Sequence, residues 1–287
     1  MQWRETVNCG CKINLRLKVT ARRNDGLHDL SSCFLFLEDP GDLLTVEESD
    51  TGLSVATPGF PELSGKNNLL WQAAERFAAC AGIKAAWRIT LDKRLPVAAG
   101  LGGGSADAGG LLLLLNERYR ALDGDKLREV AFSLGADVPF FLHRRPAWIT
   151  GAGENVELLP ELPELPQILI VNPGFPTSAK WAYTHMDKKL ISADAPGMKE
   201  DLLAGKVSNW RSFCCNDLAP ALFDKFPVLK ELESLLYSTG ALAVQISGSG
   251  SSLFALFEKG RELPVTTLQK KFAGWHGFRI FAGGKEF

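Results

Sequence analysis

Leu95-Pro96-Val97-Ala98-Ala99-Gly100-Leu101-Gly102-Gly103-Gly104-Ser105-Ala106-Asp107-Ala108 is the densest signal in the chain, a stretch poor in side chains that runs into the apolar Leu111 to Leu115. Backbone N–H groups in such a loop can approach an anion closely. A helix beginning directly behind it adds unpaired donors and the positive end of its dipole. Ser105 offers a hydroxyl to phosphate or magnesium. The spacing predicts a helix over 106–119. A Walker A loop would end in Gly-Lys-Ser/Thr, and this one does not. A dinucleotide fingerprint would set its glycines right behind a strand, whereas the strand expected over 87–91 ends well before Gly102. A phosphate-binding loop and a flexible glycine turn remain. The apolar helix that follows favours the first.

Upstream, Val7, Cys9, Cys11, Ile13, Leu15, Leu17 and Val19 alternate with Asn8, Gly10, Lys12, Asn14, Arg16 and Lys18. Period-two alternation predicts one strand over 7–19 with its odd face on the core. Lys12 and Asn14 would project together from the other face, about 7 Å apart at two residues' rise. An Asn24-Asp25-Gly26 turn follows, then strand-like runs at 33–37, 43–47 and 53–56. A helix is expected from Asn68 to Ala81, stopped by Gly82. Downstream, Asp125 is the expected cap of a helix through Leu134 that ends at Gly135, and residues 136–139 break the pattern.

The proline-rich connector 159–166 marks the expected domain boundary, giving domains 1–160 and 161–287. Beyond it the pattern predicts a strand at 168–172 and a polar, helical middle. A hairpin of 242–247 with 252–258 around Gly248-Ser249-Gly250 and a last strand at 278–282 complete a small α+β region.

At 287 residues and 46% hydrophobic content, the chain can bury one large core or two smaller ones. A formal charge of -1 provides no field to hold a nucleic-acid backbone or an anionic membrane, so neither is an expected partner and a small polar ligand fits better. The N-terminus lacks the pattern of a secretion signal, so the mature chain is expected to start near Met1. The apolar run 111–115 is far short of the roughly 20 residues of a membrane span and is expected to be a buried helix segment. The six cysteines show no zinc spacing and are expected to be reduced, mostly packed, in a cytoplasmic protein.

The stretch from Pro96 to Ala106 resembles the ATP loop of the GHMP kinases. Four more segments are similar to one branch of that superfamily, the kinases of a cytidine-diphosphate-linked methylerythritol. They are Lys12-Ile13-Asn14-Leu15 with Asp25-Gly26-Leu27-His28, Gly135-Ala136-Asp137-Val138-Pro139-Phe140-Phe141, Asn216-Asp217-Leu218 and Ser247-Gly248-Ser249-Gly250-Ser251-Ser252. They occur in the family's order across nearly the whole chain.

The resemblance implies a two-lobed α+β fold, with a ribosomal-protein-like N-terminal lobe, a ferredoxin-like C-terminal lobe and the active site between them. It implies phosphorylation of the substrate's 2-hydroxyl on the non-mevalonate isoprenoid route, with ATP and Mg2+ as cofactors. Asp137 takes the role of general base and Lys12 stands beside it. Pro96, Val97, Ala98, Ala99, Gly100, Leu101, Gly102, Gly103, Gly104, Ser105 and Ala106 take the ATP phosphates, with Asn67 and Lys93 near the nucleotide. Asn14, Leu27, His28, Phe175 and Thr177 take the substrate, His28 on the cytosine edge and Phe175 stacked on the ring. Leu27 departs from the family, which has tyrosine there. Another GHMP activity, of the homoserine or mevalonate kinase type, or a silent ligand sensor on the same fold, are the competing expectations.

Overall fold

The structure is a computed structural model that describes residues 3–287, so the expected start at Met1 lies outside the described residues. In chain order the strands are β1 (Arg4–Asn8), β2 (Cys11–Arg22), β3 (His28–Leu37), β4 (Leu43–Glu48), β5 (Ser54–Ala56), β6 (Trp87–Asp92), β7 (Ala147–Gly151), β8 (Asn155–Leu158), β9 (Gln167–Asn172), β10 (Ala243–Ile246), β11 (Leu253–Phe257), β12 (Arg279–Ala282) and β13 (Lys285–Glu286). The α-helices are α1 (Leu69–Ala81), α2 (Gly103–Tyr119), α3 (Gly124–Leu134), α4 (Val138–Phe141), α5 (Ala179–His185), α6 (Met198–Leu203), α7 (Trp210–Phe213), α8 (Ala219–Lys225), α9 (Pro227–Ser238) and α10 (Val265–Lys271). The α+β expectation holds.

Two compact units interleave along the chain. The first joins the segment ending at Cys11 to Phe36–Leu95 and Gly102–Arg145, and the second is Lys12–Leu35, Pro96–Leu101 and Pro146–Phe287. In the first unit a four-stranded sheet, ordered β1-β4-β6-β5, pairs antiparallel except for the parallel β5/β6 edge. Helix α2 packs against α1, α3, α4 and strands β1 and β4. Helix α1 shows why: Leu70, Ala73, Ala74, Phe77 and Ala78 recur at helical spacing and all are buried. The Asn68 side chain caps its start by accepting from the Leu70 N–H, and Gly82 closes it in the left-handed conformation.

The second unit holds a sheet ordered β2-β3-β7-β8 and a five-stranded antiparallel sheet ordered β10-β11-β9-β12-β13. The expected hairpin is β10 with β11, Ile246 opposite Leu253. Its core gathers Leu169, Val171, Leu222, Leu232, Leu236, Ile246 and Phe257, each fully or almost fully buried. Each such side chain contributes about 1.5–3 kcal/mol.

The structure corrects the following expectations. The strand over 7–19 is two strands, broken where Gly10 turns at φ +67°. The even face of β2 does not meet solvent: Lys12 is 4% exposed, Asn14 1% and Arg16 5%. Helix α2 starts at Gly103 rather than Ala106, because glycine's poor helix propensity hid a first turn that the apolar residues behind it stabilise. Asp123, not Asp125, caps α3, its side chain accepting from the N–H of Lys126 three residues on. After Gly135 the chain does not simply break, since residues 138–141 form the one-turn α4 with Asp137 at its start. The run 111–115 lies inside α2 with Leu111, Leu112, Leu114 and Leu115 buried, as expected.

Candidate functional site

The glycine-rich loop is held by its carbonyls. Ala98 O accepts from Thr177 N at 2.8 Å, Ala99 O from Ser252 N at 3.0 Å, Gly100 O from Ser247 Oγ at 2.9 Å and Leu101 O from Lys12 N at 2.9 Å. In a planar trans peptide the N–H points away from the C=O. Tying four successive carbonyls to the scaffold therefore turns the N–H groups of Ala99, Gly100, Leu101 and Gly102 the other way. That is the edge an anion needs. Gly100 sits at φ +82°, and a Cβ there would stand 2.0 Å from Ser247 O, so only glycine fits. Directly afterwards the chain enters α2, with Ser105 half-buried in its first turn.

On β2 the Lys12 and Asn14 side chains and the Arg16 carbonyl are joined, through Ser32 of β3, in a bonded row. Lys12 Nζ donates to Asn14 Oδ1 at 2.5 Å and lies 4.6 Å over the Phe34 ring. Asn14 Nδ2 donates to Ser32 Oγ at 3.1 Å, and Ser32 Oγ donates to Arg16 O at 2.6 Å. The second glycine-rich turn closes on this row. A Cβ on Gly248 would stand 3.1 Å from Lys12 Nζ and 3.2 Å from Asn14 Oδ1, and the Asn14 N–H reaches Ser247 Oγ at 3.3 Å. Asn216 holds the turn from behind, donating to Ile246 O and Gly248 O at 2.8 and 2.7 Å. Asp217 anchors β2 by accepting from Val19 N and Lys18 Nζ. The Asn216-Asp217-Leu218 segment thus fixes the turn and the strand to one another.

The other anticipated side chains are dispersed. Thr177 donates its hydroxyl to Ser249 O at 2.8 Å, linking the two glycine-rich segments. His28 is half-buried with its ring stacked 5.4 Å from that of Tyr183; burial, then the Arg22 charge, holds its pKa below the ordinary value. Leu27 is 52% exposed. Phe175 packs on Phe226 at 4.8 Å against the core of the second unit. The Trp181 ring stacks with that of His185 at 4.4 Å and has Lys225 Nζ 3.7 Å from its centroid. Asn67 is exposed in a 3-10 turn and Asp137 is half-buried, both in the first unit.

Lys93 does not stand open toward solvent: its side chain is 5% exposed, between the carboxylates of Asp42 and Asp107. Asp42 also accepts from the N–H groups of Arg94 and Leu95 at 2.6 and 2.7 Å. Two buried carboxyls share one ammonium, and Asp107 Oδ1 has no hydrogen-bond partner. Burial pushes the Asp107 carboxyl up to about 8; the Lys93 charge opposes this and the Asp42 charge adds to it. A Cβ on Gly103 would meet Lys93 Nζ at 3.1 Å, so the cluster braces the start of α2. Asp42 and Asp107 were missed from sequence. The available signal was an aspartate alone in an otherwise apolar helical stretch. Among the described residues no group of three or more His, Cys, Asp or Glu could hold a metal ion, and no helix is long and apolar enough to cross a membrane. Cys9, Cys11, Cys33 and Cys214 are buried, Cys215 is half-buried and Cys80 is exposed.

The class follows from two family models, the GHMP kinases N-terminal domain over residues 68–145 and the GHMP kinases C-terminal domain over 198–264. A curated 4-diphosphocytidyl-2-C-methyl-D-erythritol kinase of Syntrophotalea carbinolica is 34% identical over 94% of this chain and 95% of its own. The enzyme of the same name from a Chelativorans species is 38% identical over 92% and 91%. A crystal structure of 4-(cytidine 5'-diphospho)-2C-methyl-D-erythritol kinase superposes with a TM-score of 0.78 at 35% identity, covering 97% of this chain and 98% of that one. Homoserine kinase from Cytophaga hutchinsonii shares the fold, with a TM-score of 0.73 at 19% identity over 99% and 97%. The chain therefore belongs to the GHMP kinases and, within them, to the 4-diphosphocytidyl-2-C-methyl-D-erythritol kinase family.

Proposed function

We propose that this chain transfers the γ-phosphoryl group of ATP to the 2-hydroxyl of 4-diphosphocytidyl-2-C-methyl-D-erythritol, a step toward isoprenoid precursors. The observation that carries the reading is the glycine-rich loop, whose four carbonyls are bonded away and whose N–H edge is left for phosphate. The O–P bond to the acceptor forms as the bond from Pγ to the ADP oxygen breaks, and the hydroxyl proton goes to Asp137. Lys12 offsets charge on the acceptor oxygen and the moving phosphoryl. Residues 96–106 cradle the phosphates, with Asn67 and Lys93 toward the nucleotide, Lys93 acting through the loop it braces. Magnesium arriving with ATP would offset charge across the phosphates, and Ser105 is the side chain of this loop that would hold it.

Asn14, Leu27, His28, Phe175 and Thr177 form the acceptor side of this reading. Residues 1–160 are the N-terminal lobe and 161–287 the C-terminal lobe, a division supported by the matched spans lying on either side of the proline-rich connector. We place the enzyme in the cytoplasm, with a small molecule as its partner.

The test is ADP release by the purified chain with MgATP, offered the cytidyl acceptor, mevalonate and homoserine in parallel. Turnover with the cytidyl acceptor alone is expected. Turnover only with another alcohol would refute the acceptor and keep the class, and no ADP from any would favour a sensor.

A further inference from the structure

Arg16 lies in the interior of β2, two residues beyond Asn14, and is 5% exposed. A guanidinium keeps its charge at any working pH, so its position inside a strand requires partners. Those partners come from far along the chain. Nε donates to both Asp194 oxygens at 3.0 and 3.1 Å, Nη2 donates to Asp194 Oδ1, and Nη1 donates to Phe213 O at 2.8 Å. Asp194 is held in turn. Ser31 Oγ donates to it at 2.7 Å, and Trp148 Nε1 donates to Ser31 Oγ at 3.2 Å.

Asp194 belongs to residues 186–197, a mostly irregular segment laid along β2. Ser192 N donates to Val19 O at 3.3 Å, and Lys18 Nζ to Leu190 O at 3.4 Å. The main-chain carbonyl of the same Arg16 accepts from Ser32 Oγ, and from there the bonded row runs to Asn14 and on to Lys12, so the side-chain clasp and the row meet on the backbone of β2. Every member of that row is buried. The Asn14 amide therefore has its orientation set by groups whose far end is one carboxylate, 178 residues away in sequence from Arg16.

We propose that Asp194 is a positioning residue for the acceptor: by clasping Arg16 it fixes the strand segment and the hydrogen-bonded row that aim Asn14 and Lys12. The inference rests on the reading that these two side chains face the acceptor. Three of the four donors that hold the phosphate loop, on Thr177, Ser247 and Ser252, lie off β2, so the clasp acts chiefly on the acceptor side. Removing the carboxylate leaves a buried cation without its counter-charge. The guanidinium then keeps only the Phe213 carbonyl of those partners, and the strand that carries it loses its tie to residues 186–197.

The experiment uses the full chain and three variants: Asp194→Asn, Asp194→Ala, and the double variant Arg16→Met with Asp194→Ala. In Asp194→Asn the KM for the cytidyl acceptor should rise about tenfold while the KM for ATP moves by less than about twofold. The double variant removes the buried cation as well, so it should regain the melting temperature lost in Asp194→Ala but keep the raised acceptor KM. Recovery of both together would show a structural staple only and overturn the proposal. So would equal shifts in both KM values. Hydrogen exchange provides a readout that needs no substrate. Asp194→Asn should speed exchange over residues 11–17 and leave 96–106 unchanged, and an unchanged 11–17 would overturn the clasp. Wild-type turnover with the cytidyl acceptor tests the underlying reading separately.

Discussion

Each compact unit carries a buried cluster of charge, and the two are built on opposite plans. In the first unit, Asp42 and Asp107 share the single ammonium of Lys93, and one carboxylate oxygen has no hydrogen-bond partner. In the second, Arg16 meets the single carboxylate of Asp194, which also accepts from Ser31 and the Ala195 N–H. The first arrangement has an excess of negative charge and the second is balanced. Burial acts on both, but only in the first does it find a carboxyl that is cheaper to keep protonated. There it pushes Asp107 up to about 8. For Asp194 burial pushes the same way, but the Arg16 and Ser31 hydrogen bonds outweigh it and hold the carboxyl below its ordinary value.

The largest expected effect that would sharpen this contrast is Lys93→Met. Removing the only cation leaves two buried carboxyls facing each other, and urea unfolding at pH 7 should show a loss of about 3–5 kcal/mol. A loss below that of Arg16→Met would break the comparison.

Next comes the pH dependence of Asp107. Between its ordinary pKa of 3.8 and about 8, the folded state holds a proton that the unfolded chain has released. Stability from this group therefore falls as pH rises through that window and levels off above it. Asp107→Asn should flatten the decline in stability, read from urea unfolding, between pH 5 and 8, a difference of about 3–4 kcal/mol across the window. The balanced cluster has the opposite sign. Asp194's contribution is present above its ordinary pKa of 3.8 and disappears as pH falls below it toward the lowered folded value. Between pH 5 and 8, Asp194→Asn should therefore leave the slope of the wild type unchanged.

The smallest of the three is Arg16→Met. It leaves Asp194 partly exposed with two donors still in place, and chemical unfolding should show a loss of about 1–2 kcal/mol.

The same two clusters mark where reading the sequence stopped. Helix α1 was legible from spacing, a capping asparagine and a closing glycine, because all of that information lies within fifteen residues. The β10/β11 hairpin and the loop before α2 were legible for the same local reason. Lys12 and Asn14 were singled out on the face opposite the core, yet nothing in the alternation says that this face is itself buried. Alternation reports polarity and cannot say that a segment around residue 190 covers the polar side. Lys93 was expected at the nucleotide, but the carboxylates that bury it come from 51 residues upstream and 14 downstream. Asp125 was expected to cap α3, but Asp123 two residues earlier is the one whose side chain meets the Lys126 N–H, a distinction of distance that sequence does not carry.

The four donors that hold the glycine-rich loop are dispersed: one on β2, one just after β9 and two flanking the β10/β11 turn. The loop is thus not a portable cassette. A fragment cut in the connector at Pro166 would keep every residue of the motif while losing Thr177, Ser247 and Ser252, three of the four groups that shape it. The shape of this loop is indivisible along the chain, so shuffling of its halves would separate a conspicuous sequence from the groups that hold its geometry.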